Sequence, residues 1–251
     1  MKLRRPAIAV AAAALVAAGS VPTATHAAQI DETAATGEQA VAATNSPSEA
    51  DSVKPLGEAP KTTNGQDQKW VGILESNQQR WPNEAVRVHS ESMGRDIPVA
   101  LFRATDENGQ PVQGAPTVYL LNGAGGSEQN TDWVAQAFDQ MYATYGRAGV
   151  NVVVPMGGAA SYFTDWQRTD PKLGVQKWAT FLTEELPSVV DKRFNGNGRN
   201  AIAGISMAGT SVFQLSLHAP TLYRALGSFS GCAQTSDPAG QAAVRLVVEG
   251  R

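Results

Sequence analysis

The hydrophobic pattern changes period several times along the chain, and each change marks an element. "AVRVHSES" (85–92) and "DIPVALFRA" (96–104) alternate apolar and polar residues, which predicts two strands. The "MG" between them predicts a hairpin turn. "TVYLL" (117–121) and "VNVVVP" (150–155) are continuous apolar runs, the pattern of central strands covered on both faces. Between them, "WVAQAFDQMYATYGRAG" has helical spacing and a glycine close to its end. "LGVQKWATFLTEELPSVVDKRF" (173–194) is amphipathic, with Pro187 marking a break or a second helix start. "NAIAGI", a helix after Ser206, the strand "ALGSFSG" (225–231) and a last helical stretch "PAGQAAVRLVVEGR" follow. Strands alternating with helices predict an α/β class: a mostly parallel central sheet with flanking helices and an antiparallel start.

The first 68 residues read differently. Lys2, Arg4 and Arg5 precede the short apolar stretch "AIAVAAAALVAAG", and "THAAQ" offers small residues for cleavage near Ala27 or Ala28. Residues 1–28 are therefore expected to be a secretory signal peptide, too short in its apolar part for a comfortable bilayer span. Residues 29–68 are rich in Ala, Thr, Ser, Pro and Glu and contain no aromatic residue, which predicts an acidic, disordered linker. The part able to fold is expected over 69–251, where Trp70 is the first aromatic side chain.

Charge and cysteine content narrow the function classes. Without Lys2, Arg4 and Arg5 the chain keeps 17 basic residues against 23 carboxylates, a net charge of about −6 with no basic cluster. Nucleic acid is excluded as a partner, since neutralising phosphates needs a basic face. The single cysteine, Cys232, allows no internal disulfide and reads as a small buried hydrophobe at a strand end. No metal-ligand or cofactor pattern is present. "NGAGGSEQ" lacks both the Lys-Ser/Thr pair of a phosphate-binding loop and the spacing of a dinucleotide site.

Two pieces carry chemistry. "GISMAG" places Ser206 between a short apolar strand and a helix, close to the G-x-S-x-G nucleophile elbow, with Ala208 at the second small position. Small residues are needed there because strand and helix backbones cross closely around a strained serine. A helix N-cap serine is the bland alternative. "YLLNGAGGSEQ" supplies a glycine-rich loop directly after a strand, where an α/β-hydrolase builds half of its oxyanion hole. The backbone N–H groups of Ala124 and Met207 are the expected donors, with Gly123, Gly125 and Gly126 allowing close approach. "SYFTDWQ" (161–167) brings aromatics that either line an acyl or sugar site or pack in the core.

A serine nucleophile needs a base, and the chain offers only three histidines. His26 lies in the signal region, and His89 sits beside Arg87 on the solvated side of an early strand. His218 ends the helix that leaves Ser206, about 18 Å away at 1.5 Å per residue. None is a credible base. Asp237 follows the strand after Ser206, but the histidine that should follow it is missing, and Glu249 lies on the last predicted helix.

With these residues in hand, the sequence resembles the secreted mycolyltransferases of the mycolic-acid bacteria, among them the mycobacterial fibronectin-binding antigens. The resemblance is carried by "SMGRDIPV", "PTVYLLNGAGG", "VVVPMGGAASYFTDW", "QKWATFLTEELP" and "AIAGISMAGTS", in that order from about residue 86. It implies an α/β-hydrolase fold and transfer of a mycolyl group between trehalose mycolates or to cell-wall arabinogalactan. Ser206 falls on the family's nucleophile, and Ala124 and Met207 on its oxyanion donors. Asn122, Gly123 and Trp166 fall where substrate contacts are expected. Asn122 and Gly125 stand where the mycobacterial antigens carry an Asp and an Arg, so acceptor choice is expected to differ. The implied partners are trehalose mycolates and cell-wall glycolipid at the outer cell envelope, with the protein acting as a monomer and needing no cofactor. The family's catalytic Glu and His lie beyond the equivalent of "VVE", so residues 69–251 are expected to be the N-terminal two-thirds of the domain. Loss of a triad histidine costs about 10⁶-fold in turnover, so the chain alone is expected to be inactive.

Two other readings fit the same pieces. A secreted carboxylesterase of the same fold would use water where the transferase uses a sugar hydroxyl. A non-catalytic binding protein would use the groove to hold glycolipid or a matrix protein, consistent with the missing triad partners.

Overall fold

The structure, a computed structural model, describes residues 52–250; the signal peptide and the first part of the expected linker lie outside them. Among the described residues the elements are β1 (Val53–Pro55), α1 (Lys69–Asn77), β2 (Asn83–Ser90), β3 (Arg95–Phe102), β4 (Thr117–Leu121), α2 (Trp133–Tyr145) and β5 (Asn151–Pro155). Then come α3 (Trp178–Thr180), which runs through a π-helical turn (Phe181–Glu185) into α4 (Leu186–Phe194), and β6 (Asn200–Ile205), α5 (Met207–His218), β7 (Tyr223–Phe229) and α6 (Pro238–Glu249). The strands form one sheet in the order β1-β2-β3-β5-β4-β6-β7. Pairing is antiparallel from β1 to β5 and parallel among β5, β4, β6 and β7. The antiparallel start and parallel centre follow the periodicity of the sequence.

Side chains of the central strands alternate between two apolar layers, as the pleat requires. Tyr119, Leu121, Val153 and Ile202 face the layer completed by Trp178, Phe181, Leu186, Val212 and Leu215, so α3 to α5 cover that side. Val118, Leu120, Val152 and Val154 face Trp70, Leu74, Val134, Phe138 and Met141, so α1 and α2 cover the other. All five residues of β4 and of β5 are buried, which explains why both read as unbroken apolar runs. Pro187 stands at the start of α4, where its missing N–H costs least, and the irregular turn before it absorbs the change of register.

The ordered chain starts earlier than the composition predicts, which corrects the expectation of a linker reaching residue 68. Val53–Pro55 pairs antiparallel with β2, with Val53 opposite Val88. Leu56 is buried, and Arg87 donates from Nε to the Leu56 carbonyl and from Nη2 to that of Glu58. Trp70 Nε1 donates to Gln68 Oε1, and Gln68 Nε2 to the Lys61 carbonyl. A segment without aromatics can still be held by strand pairing and by polar groups reaching out from its neighbours. Composition averaged over forty residues hides the few positions that make these contacts.

Candidate active site

At the carboxyl end of β6 the backbone reverses in one residue. Ser206 has φ 56° and ψ −118°, a conformation costly for any residue with a side chain, on the order of 1–3 kcal/mol. The surrounding chain enforces it. The Ser206 N–H donates to the Phe229 carbonyl at 2.8 Å, tying the turn to the end of β7, and the Thr210 N–H donates to the Ser206 carbonyl at 3.3 Å. A Cβ on Gly204 would lie 2.5 Å from both the C and O atoms of Ala208, so only glycine permits strand and helix to cross there. Ala208 itself is fully buried, and its methyl fits under the turn. The next residue, Gly209, packs on Gly231: a Cβ on Gly231 would lie 2.2 Å from the Gly209 carbonyl carbon. The result is an exposed Ser206 at the N-terminus of α5, on a turn whose strain is held by close backbone contacts.

Beside it lies the glycine loop after β4, the strand paired with β6. A Cβ on Gly123 would stand 3.6 Å from Ser206 Cβ and 3.6 Å from the Ile205 carbonyl oxygen. The loop is pinned from the far side by the segment after β5. Ala160 N–H donates to the Ala124 carbonyl at 2.9 Å, and Gly126, with φ +54°, packs so closely on Gly157 that a Cβ would meet its carbonyl oxygen at 2.8 Å. Crevices of this kind, between loops at the carboxyl ends of neighbouring parallel strands, are where open α/β sheets bind ligands.

Asn122 has a different place from the one expected of a substrate contact. Its side chain is fully buried; Nδ2 donates to the Pro155 carbonyl at 3.0 Å, and Oδ1 accepts from the Trp133 N–H at 3.0 Å. Trp133 Nε1 in turn donates to the Leu121 carbonyl at 2.8 Å. Asn122 therefore ties the ends of β4 and β5 to the start of α2 and faces the interior. Trp166 is half-buried, with its indole N–H donating to the Ser161 carbonyl at 3.0 Å.

The aromatic segment after β5 splits between core and site. Phe163 is buried edge-on against Trp178, with ring centroids 5.4 Å apart. Asp165 caps the following helix, accepting from Ala179 N–H, Thr180 N–H and the Thr180 hydroxyl. Ala160, Tyr162 and Phe163 all have positive φ, between 48° and 54°. The Tyr162 N–H donates to Met207 Sδ at 3.3 Å, so this strained segment rests on the residue after the nucleophile. Tyr162 belongs to the aromatic segment 161–167 read from the sequence as either site or core, and its positive φ, beside the positive-φ glycines 157 and 158, is what periodicity did not reveal.

Charge near the loop is sparse. Burial pushes the Glu128 carboxyl up, offset in part by the Arg95 guanidinium, and burial pulls Arg95 down, offset in part by Glu128. Burial likewise raises Asp132, whose Oδ1 caps α2 by accepting from the Ala135 N–H.

Neither described histidine serves Ser206. His89 Nδ1 lies 2.7 Å from Asp96 Oδ1 on the β2–β3 hairpin. β2 is four strand spacings from β6, about 19 Å. His218 is the last residue of α5. Asp237 caps α6, accepting from the Gly240 N–H at 2.6 Å and from Gln234 Nε2. Cys232 corrects the buried reading: it is exposed, because Ser230 and Gly231 carry the chain off the end of β7, and its N–H donates to Thr210 Oγ1 at 2.9 Å. No group of three or more His, Cys, Asp or Glu side chains that could hold a metal occurs among the described residues. No helix among them is long and apolar enough to cross a membrane.

A serine on a strained strand-to-helix elbow, facing a glycine loop across adjacent parallel strands, defines an α/β-hydrolase. Residues 90–244, more than half of the chain, match the family described as "Putative esterase", and the chain belongs to that family. Among its relatives is the diacylglycerol acyltransferase/mycolyltransferase Ag85A of Mycobacterium leprae, 35% identical over 174 residues, covering 66% of this chain and 49% of that protein. Ag85B of Mycobacterium avium is 34% identical over 174 residues with the same coverage. The chain thus spans about half the length of the curated relatives it matches. Among solved structures, Mycobacterium tuberculosis MPT51 (FbpC1) superposes with a TM-score of 0.53 at 31% identity, covering 68% of this chain and 60% of the other. An S-formylglutathione hydrolase from Agrobacterium tumefaciens shares the fold, with a TM-score of 0.51 at 17% identity over 66% of this chain and 64% of the other.

Proposed function

We propose that this protein is a secreted serine acyltransferase of the mycolyltransferase type, working through an acyl group carried on Ser206. The observation that carries this reading is the elbow itself: an exposed Ser206 at φ 56° with Gly123 against it and relatives named as acyltransferases. Strain of that size, held by close glycine contacts, is typical of a residue whose side chain must be presented to a ligand.

The steps follow from the geometry. Ser206 Oγ attacks the ester carbonyl of a lipid donor, and its proton passes to a base. The carbonyl oxygen, now negative, is met by the backbone N–H groups of Ala124 and Met207, which need no reorganisation as the charge develops. The bond to the sugar leaving group breaks, the proton goes to that oxygen, and the acyl group stays on Ser206. A hydroxyl of a second sugar then attacks the acyl carbon and regenerates the serine. Trehalose mycolates are the proposed donors, and trehalose or cell-wall arabinogalactan the acceptors, at the cell envelope and with a monomeric enzyme. On this reading the described residues contribute the nucleophile and the oxyanion donors, and neither described histidine stands beside Ser206 to act as its base. Slow acylation by the described residues is the expected consequence.

The esterase reading shares every step except the last, where water replaces the sugar. Incubating the purified chain with p-nitrophenyl butyrate and reading its intact mass separates them. The proposal expects a butyryl adduct on Ser206 that leaves faster, as butyryl-trehalose, when trehalose is added. An adduct that leaves only as butyrate, at a rate indifferent to sugar, identifies an esterase.

A further inference from the structure

The segment before β2 lies ahead of the stretch that matches the family, residues 90–244, and no step of acyl transfer uses it. It is nonetheless closely built. Residues 60–68 fold back on themselves. Gln68 N–H donates to the Pro60 carbonyl at 2.8 Å, Thr62 N–H to that of Gln66 at 2.7 Å, and Lys61 Nζ to Asp67 Oδ1 at 2.6 Å. On either side of this fold, Leu56, Trp70 and Leu74 are buried in the layer that α2 completes. A closed turn anchored at both ends has little freedom left to lose when it holds a neighbour.

The neighbour is the glycine loop. Thr63 N–H donates to the Glu128 carbonyl at 3.0 Å, and Lys69 N–H donates to Asn130 Oδ1 at 2.7 Å. Lys69 is the first residue of α1, and Gln68 before it makes no side-chain cap, so Asn130 caps this helix from 61 positions away. Asn130 has φ 55°, a conformation that Asn tolerates better than most residues, and its N–H donates to the Ser127 carbonyl at 3.0 Å. From there tight turns lead back to the site. Glu128 N–H donates to the Gly125 carbonyl at 3.3 Å, and Gly126 N–H to that of Gly123 at 3.0 Å. Gly123 faces Ser206 Cβ, and Ala124, the expected oxyanion donor, lies inside this last turn. Glycines leave a loop many conformations, so its position must come from contacts outside it. The Ala160 N–H holds one side of the loop, and the segment before β2 holds the other.

We infer that residues 60–69 brace the oxyanion side of the site and that Asn130 is a positioning residue: by capping α1 it fixes the turns that aim the Ala124 N–H at the reacting carbonyl. The aim at a carbonyl rests on the acyl-enzyme reading of Ser206; the bracing of the loop does not.

Three variants test it. Lys69→Pro removes the N–H that Asn130 Oδ1 accepts, and the side chain lost with it is exposed. Proline is favoured at a first helical position, and Gln68, at φ −69° and ψ 128°, already has the extended backbone that must precede it. Asn130→Gly permits the same backbone conformation and removes the acceptor, whereas Asn130→Asp keeps the acceptor. Fluorophosphonate labelling of Ser206 over a range of probe concentrations should show the limiting rate lowered about tenfold in the first two variants. The half-saturating concentration should stay unchanged, and Asn130→Asp should keep the parental rate. Lys69→Pro/Asn130→Gly should be no slower than either single variant, because both remove one and the same hydrogen bond. A role in stability alone would lower the melting temperature and leave the rate per folded molecule unchanged. Parental rates in Lys69→Pro and Asn130→Gly, or a lost rate in Asn130→Asp, therefore overturn the proposal. Amide hydrogen exchange at Gly126 and Glu128 reads the brace without Ser206. It should quicken in the first two variants and not in Asn130→Asp, and unchanged exchange overturns the proposal. A parent that gives no adduct on Ser206 removes the acyl-enzyme reading, and exchange alone then decides the brace.

Discussion

Gly123 and Ser206 meet across the carboxyl ends of β4 and β6, so closely that a methyl at 123 would stand 3.6 Å from Ser206 Cβ. That is ordinary van der Waals contact and leaves no room for a larger side chain in front of the hydroxyl. Gly123→Val should keep its melting temperature within a few degrees yet lose reactivity at Ser206 by on the order of 10²-fold, since small misplacements at a reacting centre are costly. Parallel fluorophosphonate labelling and thermal melts read the two effects separately.

Gly204 is the opposite case, needed for folding. With Ala208 backbone atoms 2.5 Å from the position of a Cβ, Gly204→Ala must push α5 off the sheet. The expected loss is about 1–3 kcal/mol, the usual range for overpacking, read as a lower urea midpoint at unchanged slope.

Asn122 bridges β4, β5 and α2 through both ends of its amide. Asn122→Ala leaves the Pro155 carbonyl and the Trp133 N–H without their buried partner and should cost about 2 kcal/mol. Asn122→Asp keeps the acceptor for Trp133 but loses the donor to Pro155, so it should rescue at most part of that loss in a urea titration.

Much of this was legible in the chain. The unbroken apolar runs of β4 and β5 and the alternation in β2 and β3 each follow from which faces of the sheet are covered. The elbow could be read because its steric demand leaves small residues at fixed spacing around Ser206. What stayed hidden has a common cause: side-chain direction in loops. Asn122 follows a buried strand, and no period tells whether it turns inward. The positive φ of Tyr162 goes with an N–H that donates to Met207 Sδ, a residue 45 positions further along the chain, which no local motif reports. Val53–Pro55 is a strand because β2 offers it an edge, a fact about residues thirty positions away.

The β1–β2 edge should also respond to acid. The hydrogen bond from His89, with a smaller contribution from Lys54, holds the Asp96 carboxyl below its ordinary value. A group whose folded value is depressed adds stability above its unfolded value, about 3.9, and that stability fades as the pH falls through the folded value. The pair is partly solvated, so the contribution is a fraction of a kcal/mol after screening. Melting curves of the parent and Asp96→Asn should therefore differ at pH 6 and draw together as the pH falls below the ordinary aspartate range.

The reactivity of Ser206 toward an electrophile is the most direct test of the elbow as a nucleophile site. The purified chain and Ser206→Ala would be incubated with a fluorophosphonate and followed by intact mass and peptide mapping. The structure predicts one adduct, on Ser206, that accumulates slowly because no described histidine reaches its hydroxyl, and none in Ser206→Ala. An adduct that maps to another residue or persists in Ser206→Ala would contradict the elbow as a nucleophile site. Rapid, stoichiometric labelling of Ser206 would contradict the absence of a base beside it.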